Sequence, residues 1–412
     1  MNFVIYNLLI LILIPAFVFR IIIKSISDKD YRSNFLQRFG YNLSSIVRTN
    51  KKVIWFHAVS LGEVIGSQGI INKLLIKDFE IIITTSTPSG LKRAKEIFND
   101  DLVINYMPWD FSPFINRFIN FYKPQGILIF ETEIWPSMIS CAYKKNIPLY
   151  LVNGRLSQKS YQAYSMFLWP IKKIFRQVTF YFVQTEKHMQ RFLKLGVDKD
   201  KIKTVGSVKF DISGLETKKI KSPPFILGGS THYGEEELLL KAFNKFSKKR
   251  DLKLYLCPRH PERADQIVKQ ATQMGFETQL FSKLNSQSFD VCVIDSIGLL
   301  PSLYAASSMA FVGGSLVPRG GHNLIEPAAL GSPIIIGPHT FNFEDIVNQF
   351  VKAQACIRVC DEDGLLAAME LFANDLNRAE QYASNAKEIV YKNKGSTDIQ
   401  ASYIIKELGE KN

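Results

Sequence analysis

Short apolar runs alternate with longer amphipathic stretches through most of the chain, and this alternation constrains the fold more than any other feature. The candidate strands of the first half are 52–58, 79–85, 102–106, 126–130, 149–152 and 180–183. A second alternating set begins at Phe225 and runs past Val359. Strands that alternate with helices form parallel sheets that carry functional residues at their carboxyl ends. The sequence therefore predicts an α/β protein with two doubly wound, Rossmann-like domains that face each other across a cleft.

Length and a local change of composition divide the chain. Its 412 residues are too many for one hydrophobic core and suit two domains of ordinary size. Charged and turn-forming residues cluster in the segment SGLETKKIKSPP at 213–224, which is typical of a linker. We predict a membrane anchor at 1–24, a first domain at 25–212, the linker at 213–224, a second domain at 225–395 and a C-terminal helix at 396–412.

The N-terminal segment is apolar enough to enter a membrane. The run from Phe3 to Phe19 has no charge and continues beyond Arg20 into three isoleucines, so about 20 residues are available to span a bilayer as a transmembrane helix. A cleaved signal peptide is disfavoured because no basic region precedes the run and no small-x-small site follows it. The basic residues lie after the run, at Arg20, Lys24, Lys29, Arg32 and Arg38. The positive-inside rule therefore predicts a single pass with Met1 outside and the body in the cytoplasm. Because Pro15 permits a kink, a helix that lies partly in the interface stays open as an alternative.

The net charge and the cysteines indicate the kind of partner and the cellular compartment. Lys and Arg outnumber Asp and Glu by 51 to 38, a formal charge of +13. Such a surface favours anionic partners, including nucleic acid, acidic lipid and phosphorylated substrates, and charge alone does not choose among them. The five cysteines are scattered, without a CxxC pair or a histidine at metal-ligand spacing. We interpret them as reduced thiols of a cytosolic domain.

Charged residues follow several strands of the first predicted sheet. The first strand is followed by VSLGEV rather than GxGxxG, and no GxxxxGK[ST] occurs anywhere, which disfavours an NAD enzyme and a P-loop NTPase. Glu63 follows the first strand, Glu131 and Glu133 follow the fourth, and Arg155 follows the fifth. We expect these three carboxylates and the arginine to converge at one edge of the sheet.

Structural roles are the alternatives for the same residues. Ser60 stands three residues before Glu63, which is the spacing of a helix capping box. Glu131 and Glu133 are expected to face in opposite directions, as alternate residues of an extended strand do. Arg155 would then be a salt-bridge partner for these carboxylates.

A glycine-rich stretch at 311–343 organises the second predicted domain. The run 309–312 predicts a strand that ends at two glycines, and a second glycine loop at 319–322 leads into about two helical turns before Gly331. The run 333–336 predicts a buried parallel strand. A glycine loop that opens into a helix presents free backbone N–H groups to an anion, most naturally a phosphate. Glu326 on the first turn could accept hydrogen bonds from ribose hydroxyls, or it could merely complement the helix dipole.

These motifs resemble those of the bacterial 3-deoxy-D-manno-octulosonic acid (Kdo) transferases, which form glycosyltransferase family 30. The segments that carry the resemblance are HAVSLGEV, ETEIWP, NGRLS, GSVKFD, GSTHxGEE, PRHPER and GGSxxxRGGHNxxEP, and together they span nearly the whole chain in the family's order. The resemblance implies a GT-B fold whose first domain binds the acceptor and whose second domain binds the CMP-sugar. It implies inverting transfer of Kdo from CMP-Kdo to lipid IVA at the cytoplasmic side of the inner membrane, without a cofactor.

The resemblance also implies a role for individual positions. Glu63 matches the family's proton acceptor, and Glu131 and Lys209 match residues assigned to transition-state stabilisation. The positions that match CMP-binding residues are Pro258, Arg259, Ile297, Gly298, Leu299, Asn323, Leu324, Ile325 and Glu326. Further donor or acceptor contacts are expected from Ser60, Arg155, Arg319, Gly320 and Gly321. The family often has a glutamate where this chain has Leu299, so a contact through that carboxylate is not expected.

The residue types suit this chemistry on their own. The phosphate of a CMP leaving group needs cations and a helix N-terminus more than an acid, and Lys209, Arg259 and the loop at 320–321 could supply them. The acceptor alcohol needs a base, which a carboxylate such as Glu63 can provide. No DxD-like acidic pair stands where a metal ion would hold the phosphate, so a metal ion is not expected. The family resemblance implies no nucleic-acid partner.

Two alternatives to this function stay open at the level of the sequence. One is another membrane-associated GT-B enzyme that uses a UDP-sugar. The other is a membrane-tethered binding module for acidic lipid without catalysis, which accounts for the anchor and the charge but leaves the strand-end carboxylates without a role. The sequence does not fix the number of Kdo residues transferred or the oligomeric state.

Overall fold

The computed structural model divides the chain into two compact units. It describes residues 3–45, 50–99, 101–166, 168–212, 215, 217–218, 220, 222–247, 251–284 and 288–409. The first unit comprises Met1–Asp211 with Lys394–Asn412, and the second comprises Ile212–Asn393. The predicted domain ends at 212 and 395 lie within two residues of these divisions. Positions 213, 214, 216, 219 and 221 of the predicted linker lie outside the described residues.

The first unit is built on a parallel sheet of seven strands. The strands are β1 (Val53–His57), β2 (Glu80–Thr85), β3 (Val103–Tyr106), β4 (Gly126–Phe130), β5 (Leu149–Gly154), β6 (Phe180–Val183) and β7 (Ile202–Thr204). Their order in the sheet is β3-β2-β1-β4-β5-β6-β7. Nearly every strand residue is buried because helices cover both faces, which is why the strands appear in the sequence as continuous apolar runs. The six predicted strands are confirmed. β7 was missed because Ile202 is its only buried residue.

In the described part of the first unit, eight α-helices precede the second unit. They are α1 (Phe3–Ser27), α2 (Leu61–Ile76), α3 (Pro88–Phe98), α4 (Ser112–Tyr122), α5 (Pro136–Lys144), α6 (Gln158–Ser165), α7 (Leu168–Gln177) and α8 (Glu186–Lys194). α2 begins four residues after β1, and α5 begins six residues after β4.

The second unit repeats this architecture. Its strands are β8 (Phe225–Thr231), β9 (Lys253–Pro258), β10 (Thr278–Leu280), β11 (Val291–Val293), β12 (Met309–Val312), β13 (Ile334–Ile336) and β14 (Ile357–Arg358). All pair in parallel, in the order β10-β11-β9-β8-β12-β13-β14. Its helices are α9 (Glu235–Ser247), α10 (Ala264–Gln273), α11 (Leu300–Ala306), α12 (Ile325–Leu330), α13 (Glu344–Lys352), α14 (Glu362–Asn374) and α15 (Leu376–Asn393). Two parallel sheets with helices on both faces confirm the predicted α/β class.

The last helix, α16 (Ser396–Gly409), belongs to the first unit. The carboxylate of Asp211 accepts hydrogen bonds from the backbone N–H groups of Gly395 and Thr397 at the start of this helix. The side-chain oxygen of Gln400 accepts a 2.8 Å hydrogen bond from the backbone N–H of Asn153, near the end of β5. The chain therefore returns to the first sheet after the second unit is complete.

The helix α1 lies against the first unit rather than projecting away from it. The Tyr6 hydroxyl donates to Asp110 Oδ2 over 2.7 Å, and Asn7 Oδ1 accepts from the Ser112 N–H over 2.9 Å. Further along the helix, the Phe17 ring lies 5.9 Å from the ring of Trp109. Apolar side chains of α1 that stay exposed are Val4, Ile5, Leu8, Leu9, Leu11, Ile12, Leu13, Phe19, Ile22, Ile23 and Ile26. In the described part of the chain α1 alone is long and apolar enough to cross a membrane.

A buried carboxylate joins α1 to α5. Asp110 accepts hydrogen bonds from the backbone N–H groups of Ser137 and Met138, both at 2.9 Å, in addition to the one from Tyr6. These N–H groups open α5, where an anion is favoured by the helix dipole. Burial raises the pKa of Asp110 to about 6, although its three donors oppose the shift. The contact therefore connects the apolar helix to the segment that follows β4.

We expect Tyr6→Phe to lower the free energy of unfolding by about 1 kcal/mol, because it removes one hydrogen bond from a buried carboxylate. The measurement is a denaturant titration of the full chain in detergent. Tyr143→Phe is the matched control, since Tyr143 lies on α5 with its ring exposed. Equal unfolding midpoints for the two variants would show that α1 is not held by this contact.

Candidate active site

Five charged side chains meet at the carboxyl edge of the first sheet. Glu63 lies on the first turn of α2, after β1, and Glu131 and Glu133 follow β4. Arg155 follows β5, and Lys209 lies in a short turn after β7. β1, β4 and β5 are neighbours in the sheet, so their loops emerge side by side. The predicted convergence of three carboxylates and an arginine is confirmed, and we call these five residues the strand-end cluster.

The Glu63 side chain turns back toward the end of β1. Its Oε2 accepts a 2.9 Å hydrogen bond from the Val59 N–H, and its Oε1 accepts a 3.0 Å hydrogen bond from the Ser60 hydroxyl. Ser60 is the N-cap residue of α2, yet its hydroxyl accepts no hydrogen bond from a helix N–H. The arrangement therefore differs from a capping box, in which the serine hydroxyl accepts from the helix. Here the serine hydroxyl instead donates its hydrogen bond to the Glu63 carboxylate.

The environment of Glu63 favours its protonated form. Burial raises its pKa to about 7, and the charges of Glu131 and Glu133 add to the effect, while the hydrogen bonds from Val59 and Ser60 oppose it. A carboxyl group that titrates near neutral pH can accept a proton and release it again. Such a group in a cluster of charges is typical of active sites.

Glu131 adopts a backbone conformation that few residues other than glycine take. Its φ is +63°, and its carboxylate forms a 2.7 Å ion pair with Nε of Arg155. β4 ends at Phe130, so the expectation that Glu131 and Glu133 alternate as in an extended strand was wrong. A left-handed residue costs roughly 1–2 kcal/mol, and strain of this kind clusters at functional sites. The expected pairing with Arg155 is present.

Burial and neighbouring charges also shift the pKa values of Lys209 and Glu133. Burial is the largest influence on the Lys209 ammonium group and lowers its pKa. The negative charges of Glu131 and, more weakly, Glu63 raise this pKa, whereas the positive charge of Arg155 lowers it further. Burial also raises the pKa of Glu133, with a further contribution from Glu131. A proton gained by one member therefore changes the charge felt by the others.

In the second unit, the first glycine loop already holds an anion that the protein itself supplies. Oε2 of Glu235 accepts from the N–H groups of His232 (2.9 Å) and Gly314 (2.7 Å). Its Oε1 accepts from those of Ser315 and Leu316, both at 2.9 Å. The N–H groups of Gly314, Ser315 and Leu316 are therefore occupied by a carboxylate of the protein itself. Successive backbone N–H groups do form an anion-binding concavity, and a side chain from α9 fills it.

The second glycine loop is also committed to internal contacts. The N–H groups of Gly321 and His322 donate to the carbonyls of Gly314 (2.7 Å) and Gly313 (3.1 Å). Gly320 has a φ of +94°, and a Cβ there would lie 2.4 Å from the side chain of Asn342, so only glycine fits. Side chains, rather than the N–H groups of Gly321 and His322, are then left to bind a phosphate.

Three of the predicted CMP-binding residues are brought together. Asn323 Nδ2 donates to Glu326 Oε1 over 3.1 Å, and Asn323 Oδ1 accepts from the Ile325 N–H over 3.0 Å. This last hydrogen bond explains why α12 begins at Ile325, two residues later than predicted. Burial raises the pKa of Glu326, whereas the Asn323 hydrogen bond and the charge of Arg259 lower it. Arg259 therefore faces the same carboxylate.

The other predicted CMP-binding residues occupy different surroundings. Leu324 and Ile325 are fully buried, so only their backbone is available to a ligand. Pro258 ends β9, and the segment 297–299, in which Ile297 and Gly298 are exposed and Leu299 is partly buried, precedes α11. Sequence reasoning gave no role to three histidines of the second unit, although each follows or lies near a strand end. They are His232, His260 and His322.

We expect Glu131→Gln to lower the pKa of Glu63, because it removes one of the negative charges that disfavour ionisation. The pKa should stay above that of an ordinary glutamate, since burial is the larger cause. Titration of the glutamate side-chain carboxyl signals by carbon NMR measures the shift. Glu96→Gln, at an exposed ion pair on α3, should leave the titration unchanged. A Glu63 pKa that does not move in Glu131→Gln would contradict the described coupling.

Comparisons with known proteins identify the family. The model for "3-Deoxy-D-manno-octulosonic-acid transferase (kdotransferase)" matches residues 33–212. The 3-deoxy-D-manno-octulosonic acid transferase of Haemophilus influenzae is 33% identical over 410 residues, which cover 95% of each chain. The enzyme of the same name from Aquifex aeolicus is 32% identical and covers 77% of this chain and 85% of its own.

A solved structure of more distant sequence shares the fold. The UDP-GlcNAc 2-epimerase of Neisseria meningitidis matches with a TM-score of 0.56 at 16% identity, over 88% of this chain and all of that one. This likeness concerns architecture alone. The identity to the Haemophilus protein over nearly all of both chains is decisive, and the chain belongs to the 3-deoxy-D-manno-octulosonic acid transferase family of glycosyltransferases.

Proposed function

We propose that the protein transfers Kdo from CMP-Kdo to lipid IVA, with inversion at the anomeric carbon, in lipopolysaccharide assembly. The observation that carries the proposal is the Glu63 carboxyl group, which is held at the strand edge by Val59 and Ser60 and titrates at about 7. Membership of the Kdo transferase family identifies Kdo as the transferred sugar. The acceptor, lipid IVA, is the one that the family resemblance implies.

In this mechanism Glu63 takes the proton of the acceptor hydroxyl as its oxygen attacks the anomeric carbon. The bond from that carbon to the phosphate oxygen breaks, and CMP leaves with the electron pair. Lys209 offsets the charge that develops on the phosphate, while the ion pair with Arg155 fixes Glu131 beside it. No group needs to protonate the leaving phosphate, because CMP is a stable anion.

The nucleotide is assigned to the second unit. Glu326, oriented by Asn323, accepts hydrogen bonds from the ribose hydroxyls, and Arg259 faces the phosphate. The backbone at 323–325 and the segments 258–259 and 297–299 complete the contacts with CMP. Ser60 orients the Glu63 carboxylate. Arg319, Gly320 and Gly321 belong to the second glycine loop, which shapes the part of the site that binds the sugar donor.

We expect the wild-type protein to add the mass of Kdo to lipid IVA when it is given CMP-Kdo, and Glu63→Gln to lose about 10² to 10⁴ in single-turnover rate. The glutamine keeps the size of the side chain but cannot accept the proton. Glu96→Gln is the matched control and should transfer at the wild-type rate. Mass spectrometry of the lipid product provides the readout.

Two results would contradict the proposal. One is a Glu63→Gln protein that transfers Kdo at a near wild-type rate. The other is a wild-type protein that is stabilised thermally by UDP and not by CMP, which would favour the UDP-sugar alternative.

For the membrane, we propose attachment to the inner membrane through α1 with the body on the cytoplasmic side. A single span with Met1 outside stays a prediction. The contacts of Tyr6 and Asn7 with the body near one end of α1, and of Phe17 further along, favour the alternative of a helix in the plane of the cytoplasmic leaflet. In that arrangement the exposed apolar side chains of α1 enter the leaflet.

We expect a tag at the N-terminus to resist protease added to the outside of spheroplasts, because an in-plane helix keeps both of its ends in the cytoplasm. Lysis should expose the tag to digestion. A periplasmic marker that is digested in the same intact spheroplasts serves as the control. Digestion of the tag before lysis would instead establish the single span.

A further inference from the structure

Three histidines of the second unit form a cluster that the nucleotide-binding residues do not account for. His232 and His322 lie nearly parallel, with ring centroids 5.1 Å apart and an interplanar angle of 10°. Their Nε2 atoms are 2.9 Å apart, which is a hydrogen-bonding distance. The ring of His260 lies 6.0 Å from that of His232. We call these three residues the histidine cluster.

Positive charge surrounds this cluster, and part of it has a carboxylate partner: Nδ1 of His260 lies 3.4 Å from Oε1 of Glu262. After burial, the charges of Arg319, His260, Arg263 and Arg259 lower the pKa of His232. Burial, Arg259, His232 and His260 lower the pKa of His322 to about 4. Arg263 forms a bidentate ion pair with Glu236. Within the described ranges, neither Arg259 nor Arg319 forms an ion pair with a carboxylate.

The surrounding backbone is shaped to hold the two stacked rings. Gly314 has a φ of +69°, and a Cβ on it would lie 3.1 Å from His322 Cδ2 and 3.5 Å from His232 Cδ2. Glu235 accepts from the N–H groups of both His232 and Gly314, so one carboxylate fixes the loops that carry the pair. The rings are therefore positioned by the fold rather than by a chance contact of exposed side chains.

The hydrogen bond between the rings leaves a donor for an anion. In an Nε2–H···Nε2 bond between neutral imidazoles, the accepting ring must carry its proton on Nδ1. That N–H group and the guanidinium of Arg319 are suited to a carboxylate. A metal ion is a poorer match, because in the part of the chain that the structure describes no three His, Cys, Asp or Glu side chains, these histidines included, are placed to hold one.

The chemistry of the donor supplies such an anion. In CMP-Kdo the anomeric carbon carries both the phosphate ester and the carboxylate of the sugar acid, so two negative groups are separated by only a few bonds. The charge of Arg259, assigned above to the phosphate, lowers the pKa of both Glu326 and His322, and Arg259 directly precedes His260 in the chain. The histidine cluster therefore adjoins the position proposed for the phosphate.

We propose that the histidine cluster and Arg319 bind the carboxylate of the donor sugar and thereby select 2-ulosonic acids over neutral sugars. This inference rests on the proposed function, because it assumes that CMP-Kdo is the donor. Holding the carboxylate also orients the anomeric carbon relative to the bond that breaks. The residues are positioning residues for the donor and take no part in proton transfer.

The test compares CMP, which lacks the sugar acid, with CMP-Kdo. We expect His322→Gln to weaken the binding of CMP-Kdo about tenfold or more, the effect typical of a lost hydrogen bond to a charged group, and that of CMP less than twofold. Arg319→Gln changes an exposed side chain and should give the same split without disturbing the packing. Glu326→Ala provides the contrast, because a lost ribose contact should weaken both ligands by the same factor. His339→Gln, at an exposed histidine outside the cluster, should change neither.

Calorimetry with the full chain in detergent measures CMP, and competition against it measures CMP-Kdo. Equal factors for the two ligands in both His322→Gln and Arg319→Gln, or no change for either ligand, would overturn the inference. A wild-type protein that binds neither ligand would instead refute the proposed function, so the two failures are distinguishable.

Discussion

Carboxylates that accept backbone N–H groups hold the strand-end loops in both units, and Glu235 and Asp110 do so while buried. Glu235 accepts hydrogen bonds from four backbone N–H groups. Asp110 accepts from two backbone N–H groups and from a tyrosine hydroxyl. Asp211 accepts from two backbone N–H groups at the start of the last helix. A parallel sheet covered on both faces leaves its loops as the place for chemistry, and these loops need fixed partners. Burying a carboxylate is costly unless hydrogen bonds offset the lost hydration, so each of these residues stabilises only the folded arrangement.

Glu63 departs from this pattern in a way that suits a base. It has one backbone donor and one hydroxyl donor, and burial, with a smaller contribution from two other carboxylates, raises its pKa. The pKa of Glu63 is therefore close to neutral pH. Arg155 and Lys209 offset part of the negative charge of the cluster. The link from α1 through Asp110 to α5 places the exposed apolar helix and the loop of Glu131 on one scaffold.

The sequence was most informative where burial alone determines structure. The six strands of the first unit that were predicted are continuous apolar runs, whereas β7 has a single buried residue and could not be distinguished from a loop. Side-chain partners distant in the chain were beyond local reasoning. The donors of the first glycine loop are taken by Glu235, about 80 residues earlier, and His232 meets His322 across 90 positions. The left-handed Glu131 was missed because a strand-period argument assumes an extended backbone.

The central claim is that burial and neighbouring charges tune Glu63 to act as the base. The pH dependence of single-turnover Kdo transfer, measured between about pH 5 and 9, tests it most directly. Because an ionised carboxylate is required, the rate should rise with pH through about 7 in the wild type, and this rise should move to lower pH in Glu131→Gln. A rate that is independent of pH across this range, or a rise that stays in place when Glu131 is neutralised, would contradict the account.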